Sequence, residues 1–314
     1  MGIENESVLI VGSGAMACLF AARLSAAGVK VTLAGSWRES LEAIRREGVR
    51  LSLPGGSTAA YPVETADDPA QIGEVQQALV LVKSWQTEKA AKMLRGCLSR
   101  QGVALTLQNG MGNREILAEH LGAERVALGI STAGAYLLAP GHVRFGGEGI
   151  LSLGVHDRIQ PLSERLRQAG FRVEMVPDPD SLLWGKLVIN AAINPLSALL
   201  NVPNGELLER PTARALMINL AREAAAVAAA QRIPLPYDNA ALTVQEIARR
   251  TGSNLSSMLQ DVRRGAPTEI DAICGAIVQA GEQAGVPTPL NQTMWQLIKA
   301  LVHSPTTISS MDKP

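Results

Sequence analysis

The sequence predicts an α/β domain built on a doubly wound, mainly parallel sheet, followed by an all-α C-terminal domain, and three observations carry that expectation. Up to about residue 176, short β-rich runs alternate with helical patterns, the alternation that a parallel sheet covered by helices requires. At Val176 to Ser181 the stretch VPDPDS holds two prolines and two aspartates, and the strand signal ends there. Beyond it nearly every periodic segment has helical spacing. The expected domains are 1–176 and 181–304, with a tail at 305–314.

Along the first part, SVLIVG, VKVTLA, ALVLVK and VALTL read as buried strands. Between them Ala15 to Ala27, Trp37 to Glu47 and Trp85 to Gly96 read as helices, each about the length that a crossover between parallel strands needs. From Arg125 to Val176, strand-like runs with glycine-rich turns (GHVRFGGEGILSLG) and a helix near Gln160 to Ala169 are expected to extend the same sheet. In the second part Thr212 to Gln231, Asn239 to Arg250 and Glu269 to Ala284 read as helices. Trp85 and Trp184 read as packing residues.

Composition narrows the function. The 314 residues are 46% hydrophobic, enough for a substantial core. Lys plus Arg and Asp plus Glu both total 29, so no basic field invites nucleic acid or an anionic membrane, and a small-molecule ligand is expected. The longest apolar run, AMACLFAA, is far short of the roughly 20 residues that span a bilayer. Arg214, Arg222 and Glu223 argue against a membrane reading of the alanine-rich helix. The opening MGIENESVLIVGSG has no basic segment followed by a long apolar one, which points to the cytoplasm. Cys18, Cys97 and Cys274 are scattered, without metal-ligand spacing, so they read as reduced core residues and no metal is expected.

VLIVGSGAMA places Gly12, Gly14 and Ala17 in the G-x-G-x-x-G/A spacing, directly after a strand and opening a helix. The loop Gly12, Ser13, Gly14, Ala15, Met16 and Ala17 is thus the candidate cradle for a dinucleotide pyrophosphate, and the domain reads as Rossmann-type. At the end of the second strand an NAD site would carry Asp or Glu, but Ala34, Gly35 and Ser36 stand there, with Arg38 close behind. A guanidinium without a competing carboxylate favours the 2′-phosphate of NADP(H); the plainer reading of Arg38 is a solvated residue of the first helical turn. Lys83 and Asn109 fall at the C-terminal ends of parallel strands, where such folds bind ligands.

In LLWGKLVINAAINPLSALLN, Lys186, Asn190 and Asn194 recur at steps of four, which places them on one helical face in an apolar segment. Pro195 cannot donate to the Ala191 carbonyl, so a helix is expected to end or kink there, and Asn194 could instead be the N-cap of a following helix.

GSGAMA, VKSWQ, QNGMGN, WGKLVINAAINPLSALLNVPNGEL, NLSSMLQDV and PTEIDAICG, in this order along nearly the whole chain, together resemble the ketopantoate reductase family. The resemblance implies NADPH-dependent reduction of a 2-oxo acid, ketopantoate first, in pantothenate and coenzyme A synthesis. It implies Lys186 as general acid and Glu269 as the carboxylate that orients it or contacts the cofactor. Burial would lower the lysine pKa and a nearby carboxylate would oppose that shift. Asn109, Asn190 and Asn194 are candidate substrate contacts, and Asn204, Asn254, Ser256 and Ser257 match the family's remaining ones. Ala135 matches a backbone position lining the cofactor pocket. Plainer readings stay open: Asn204 before Gly205 as a turn residue, Ser256 and Ser257 as caps or filler, Lys186 reaching to solvent. A paralogue reducing another branched 2-oxo acid is the alternative of the same chemistry, and a non-catalytic NADP(H)-binding protein the alternative of another class. The apolar C-terminal helices permit a homodimer.

Overall fold

The computed structural model describes residues 7–302, so the tail expected at 305–314 lies outside the described residues. The chain divides into two compact units, one ending at Pro179 and one beginning at Asp180.

The first unit starts with β1 (Val8–Val11), α1 (Ala15–Ala26), β2 (Val31–Ala34) and α2 (Arg38–Glu47), followed by the short strands β3 (Val49–Ser52), β4 (Thr58–Tyr61) and β5 (Glu64–Ala66). Then come β6 (Val75–Val80), α3 (Thr87–Cys97), β7 (Leu98–Thr106), α4 (Asn113–Leu121) and β8 (Val126–Ser131). β9 (Gly134–Ala139), β10 (His142–Gly147), β11 (Ile150–Gly154), α5 (Gln160–Gln168) and β12 (Arg172–Val176) complete it. Eight strands form the main sheet in the order β12-β11-β8-β7-β6-β1-β2-β5. From β1 the chain moves outward through β2 and β5, then returns to the other side of β1 at β6. That reversal makes a topological switch point, and ligands of such sheets bind outside the strand ends there.

The residues of β1 show why this strand is central. All four are buried, and their alternation sorts them to opposite faces. Val8 and Ile10 join an apolar cluster with Leu19 and Phe20 of α1. Leu9 and Val11 join another with Ala91 and Leu94 of α3 and Leu117 of α4. A strand buried on both faces reads as an uninterrupted apolar run, which is how VLIV stands in the sequence.

One expectation is corrected. β8, β11 and β12 do extend the main sheet, with β11 antiparallel to β8, but the β9–β10 hairpin leaves it. With β3 and β4 it makes a second, four-stranded sheet in the order β4-β3-β10-β9. The pattern of burial explains the separation. In β10 only Val143 is fully buried, alongside Val49 and Leu51 of β3, so this sheet has one apolar face to cover. A strand inside the main sheet needs two.

The second unit is helical: α6 (Pro179–Leu200), α7 (Glu206–Glu209), α8 (Pro211–Ala230), α9 (Ala240–Arg250), α10 (Ser257–Arg263), α11 (Ala276–Ala284) and α12 (Pro289–Val302). A π-helical turn, Asp271–Gly275, leads into α11. Glu223, an acid on the alanine-rich α8, accepts hydrogen bonds from the Leu290 and Asn291 backbone N–H groups at 3.0 and 2.8 Å. It thereby satisfies free donors at the start of α12, where negative charge is favoured. α6 is long and apolar enough to cross a membrane by length and composition, but 67% of its most apolar stretch is buried inside the protein. Trp184 is buried, whereas Trp85 is 54% exposed, against its reading as a packing residue.

Candidate active site

In the first unit, the candidate residues stand at the carboxyl edge of the main sheet. Val11 pairs with Ala34 on one side and Val80 on the other, and Val80 pairs with Thr106. The loops after β1, β2, β6 and β7 therefore leave the sheet side by side. Gly12 has φ +134, and a Cβ there would come 2.9 Å from the Leu81 carbonyl oxygen, so neither the conformation nor the space admits another residue. A Cβ on Gly14 would meet nothing within 4 Å. Gly14 therefore keeps open the approach to the start of α1, whose first turn has no acid and no side-chain cap. Free N–H donors, an open approach and no competing carboxylate fit a dinucleotide diphosphate.

Of the other residues in the loop, Ser13 is buried, Ala17 belongs to the core, and Ala15 and Met16 are partly buried against the same apolar cluster. Ala135, on β9, packs against that cluster too. Ser40 of α2 donates to the Ser13 carbonyl at 3.0 Å and accepts from the Gly141 N–H at 3.3 Å. The buried hydroxyl ties the start of α2 to the glycine loop. Arg38, the first residue of α2, is exposed. Lys83 and Asn109 are both partly buried, one beyond the end of β6 and one beyond β7.

In the second unit, α6 runs unbroken through Pro195. Asn194 is therefore interior to a helix, and the capping alternative falls away. The Ala191 carbonyl, which Pro195 cannot serve, has the Cys274 thiol at 3.9 Å. An unbroken helix puts Lys186, Asn190 and Asn194 on one face; the first two are partly buried and Asn194 is 7% exposed.

The loops at 201–205 and 251–256 are joined to each other and to α6. Asn204 N–H donates to the Asn254 carbonyl and Gly205 N–H to the Gly252 carbonyl, each at 3.0 Å. Asn204 Nδ2 donates to Thr251 Oγ1 at 2.9 Å. Ser256 is the N-cap of α10, accepting from the Leu259 N–H at 3.1 Å, and its hydroxyl lies 2.6 Å from that of Ser197 on α6. Ser197 in turn donates to the Asn194 carbonyl at 3.1 Å. Ser256 thus has a helix-capping role, and Ser257 beside it is partly buried at the start of α10. Buried Asn204 Oδ1 has no hydrogen-bond partner among the described residues, an acceptor that an additional donor could satisfy.

Burial pushes the Lys186 ammonium down from its ordinary 10.5 to about 8, and the charge of Glu269 works in the opposite direction. Glu269 is itself only 5% exposed, in the segment just before the π-helical turn. A lysine with a pKa near the working pH can exchange a proton, which an ordinary surface lysine cannot do readily. The sign of the pH dependence follows. If Lys186 must carry its proton to act as an acid, kcat/KM for carbonyl reduction should be level below pH 8 and fall about tenfold per unit above it. A descending limb displaced to pH 10 or beyond would contradict the role.

Sequence reasoning missed Ser197, Ser40 and the buried trio Thr87, Gln108 and Asn113. Gln108 and Asn113 lay inside QNGMGN and Ser197 inside WGKLVINAAINPLSALLNVPNGEL, but no local pattern signals hydrogen bonds between separate loops. Among the described residues no group of three or more His, Cys, Asp or Glu could hold a metal, and all three cysteines are free and buried.

A glycine loop at the switch point of a doubly wound sheet defines a Rossmann-type nucleotide-binding unit, and the second unit carries on its first helix a lysine whose pKa burial lowers. Residues 8–158 match the family model described as ketopantoate reductase PanE/ApbA, and residues 179–302 match that of its C-terminal domain. A 2-dehydropantoate 2-reductase of Archaeoglobus fulgidus is 37% identical over 94% of this chain and 98% of its own. The crystal structure of a PanE/ApbA family ketopantoate reductase from Ralstonia eutropha superposes with a TM-score of 0.88 at 32% identity, covering 94% of this chain and 98% of that one. A D-mandelate dehydrogenase solved with NADH and anilino(oxo)acetate gives a TM-score of 0.87 at 25% identity, with the same coverages. The chain belongs to the ketopantoate reductase family of oxidoreductases.

Proposed function

We propose that this chain reduces 2-dehydropantoate to pantoate with NADPH, a step that would feed pantothenate and coenzyme A synthesis. The observation that carries the reading is Lys186, its pKa lowered by burial, on a helical face shared with Asn190 and Asn194. When bound, the reduced nicotinamide supplies the hydride. The chain supplies the rest. Lys186 donates its Nζ proton to the carbonyl oxygen, where negative charge accumulates as the carbon is reduced. Glu269 orients the lysine or contacts the cofactor. Asn190, Asn194 and Ser257 hold substrate oxygens through neutral groups, which leaves the lysine charge uncompensated by them. Asn204, whose amide oxygen has no partner among the described residues, and Asn254 complete the substrate contacts. Gly12, Gly14 and the start of α1 would take the pyrophosphate, with Lys83, Asn109 and Ala135 as further cofactor contacts.

Measuring NADPH oxidation with ketopantoate and a panel of other branched and aromatic 2-oxo acids tests the reading. Turnover of another acid with none on ketopantoate would replace the substrate; no turnover on any would leave a non-catalytic NADP(H) binder.

The cofactor preference is tested separately, and the NADH bound by the D-mandelate dehydrogenase makes the comparison worth drawing. NADPH should give the higher kcat/KM, because β2 ends in Ala34 and Gly35 without a carboxylate and Arg38 opens α2. Replacing Arg38 by Ala should weaken NADPH on the order of 10–100-fold, the usual worth of a hydrogen bond to a charged group, and leave NADH nearly unchanged. Equal efficiency with both cofactors in the parent enzyme would sink the argument.

A further inference from the structure

We infer that Thr87, Gln108 and Asn113 are positioning residues that lock the loop carrying Lys83 to the loop carrying Asn109, so that the two move as one unit. This rests on the reading of Lys83 and Asn109 as cofactor contacts. The two loops follow neighbouring parallel strands, β6 and β7, and nothing in sheet pairing fixes their tips. Side chains do. Gln108 Nε2 donates to the Val82 carbonyl at 3.0 Å and to Thr87 Oγ1 at 2.8 Å, while its Oε1 accepts from Thr106 Oγ1 at 3.0 Å. Thr87 Oγ1 has a single proton and two acceptors, the Ser84 carbonyl and Asn113 Oδ1, each at 2.8 Å. Asn113 Nδ2 closes the chain onto the Asn109 and Gly110 carbonyls at 3.0 and 3.3 Å.

With the single Thr87 proton shared between its two acceptors, a path of hydrogen bonds runs from the backbone beside Lys83 to the backbone of Asn109. Thr87 is 0% exposed, Asn113 4% and Gln108 7%, so the trio acts through its neighbours. At such burial each lost partner leaves a desolvated group unpaired, which makes the arrangement stiff.

Thr87→Val keeps the shape and removes the hydroxyl; Thr87→Ser keeps the hydroxyl. Two readouts are taken on folded, NADPH-loaded enzyme: kcat with ketopantoate, and the fluorescence anisotropy decay of the bound reduced nicotinamide, which reports its immobilisation without turnover. Thr87→Val should lower kcat about tenfold or more, since small misplacements of reacting groups are that costly, and should loosen the bound nicotinamide. Thr87→Ser should restore both. In an Asn109→Ala background Thr87→Val should add little. Asn113→Ala cuts the path at its other end and carries the test if Thr87→Val does not fold.

Wild-type kcat and anisotropy in both Thr87→Val and Asn113→Ala, or a change confined to Tm, would overturn the proposal while the cofactor reading stands. If Lys83→Ala and Asn109→Ala themselves alter neither NADPH affinity, anisotropy nor kcat, the cofactor reading has failed and the proposal falls with it.

Discussion

Lys186→Ala should lower kcat by about 10²–10⁴, the usual cost of losing one positioned proton donor, while NADPH binding survives. The binding half of the expectation comes from the membership of the two sets of residues in different units. The glycine loop and α1 belong to the first unit, and Lys186 to the second. Alanine is the best helix former, so α6 should remain intact with its buried neighbours Gly185 and Leu187 in place. NADPH affinity measured on the same sample excludes a general conformational defect. Lys186→Arg separates two roles that the alanine variant confounds. Arginine keeps a positive charge but does not give up its proton in this pH range. If the lysine is a proton donor, Lys186→Arg should be nearly as slow as Lys186→Ala; if it only stabilises charge on the carbonyl oxygen, arginine should recover much of the rate. Wild-type kcat in Lys186→Ala would remove the lysine from the mechanism altogether.

The parts of this molecule legible in its sequence are those where one local pattern has one physical solution. VLIV followed by GSGAMA is such a case, since a strand buried on both faces is a continuous apolar run and its glycines answer to a tight turn and an open helix start. The helices α8 and α9 were legible for the same reason, to within one or two residues at each end. The second sheet was not. TAAY in β4 is largely exposed and VRLS in β3 alternates over only four residues, too short to separate from a loop, and the partner of β3 lies some ninety residues away at His142 to Arg144. Pro195 left two outcomes open. Its missing donor predicts an end or a kink, and the helix does not end there, because packing of the surrounding buried residues holds it and the freed Ala191 carbonyl faces the Cys274 thiol. The trio Thr87, Gln108 and Asn113 was invisible for a third reason: hydrogen bonds between separate loops leave no periodicity in either.

Ketopantoate should be reduced with far higher kcat/KM than 2-oxoisovalerate, which keeps the branched carbon and loses the hydroxymethyl group. A carboxylate and a carbonyl do not require all the neutral polar groups that the second unit offers. Asn190 and Asn194 share the lysine's helical face, Ser257 opens α10, and Asn204 contributes a buried amide oxygen without a partner among the described residues. A terminal hydroxyl on the substrate would account for the surplus, because a hydroxyl can both donate and accept. A site built to hydrogen-bond a hydroxyl rejects the analogue lacking it by up to about 10⁴–10⁵, since the protein groups are then left unpaired. Apolar shape discriminates less, ~1–3 kcal/mol for each methylene-sized contact, so the hydroxyl should dominate. Replacing Asn190 or Ser257 by Ala should narrow the gap mainly by lowering efficiency on ketopantoate, with 2-oxoisovalerate little affected. The corresponding change at Asn204 should act in the same direction, but it also removes the Nδ2 bond to Thr251, so its effect on Tm must be measured with it. Comparable kcat/KM on the two acids in the parent enzyme would refute hydroxyl recognition, and would move the substrate to a branched 2-oxo acid without that group.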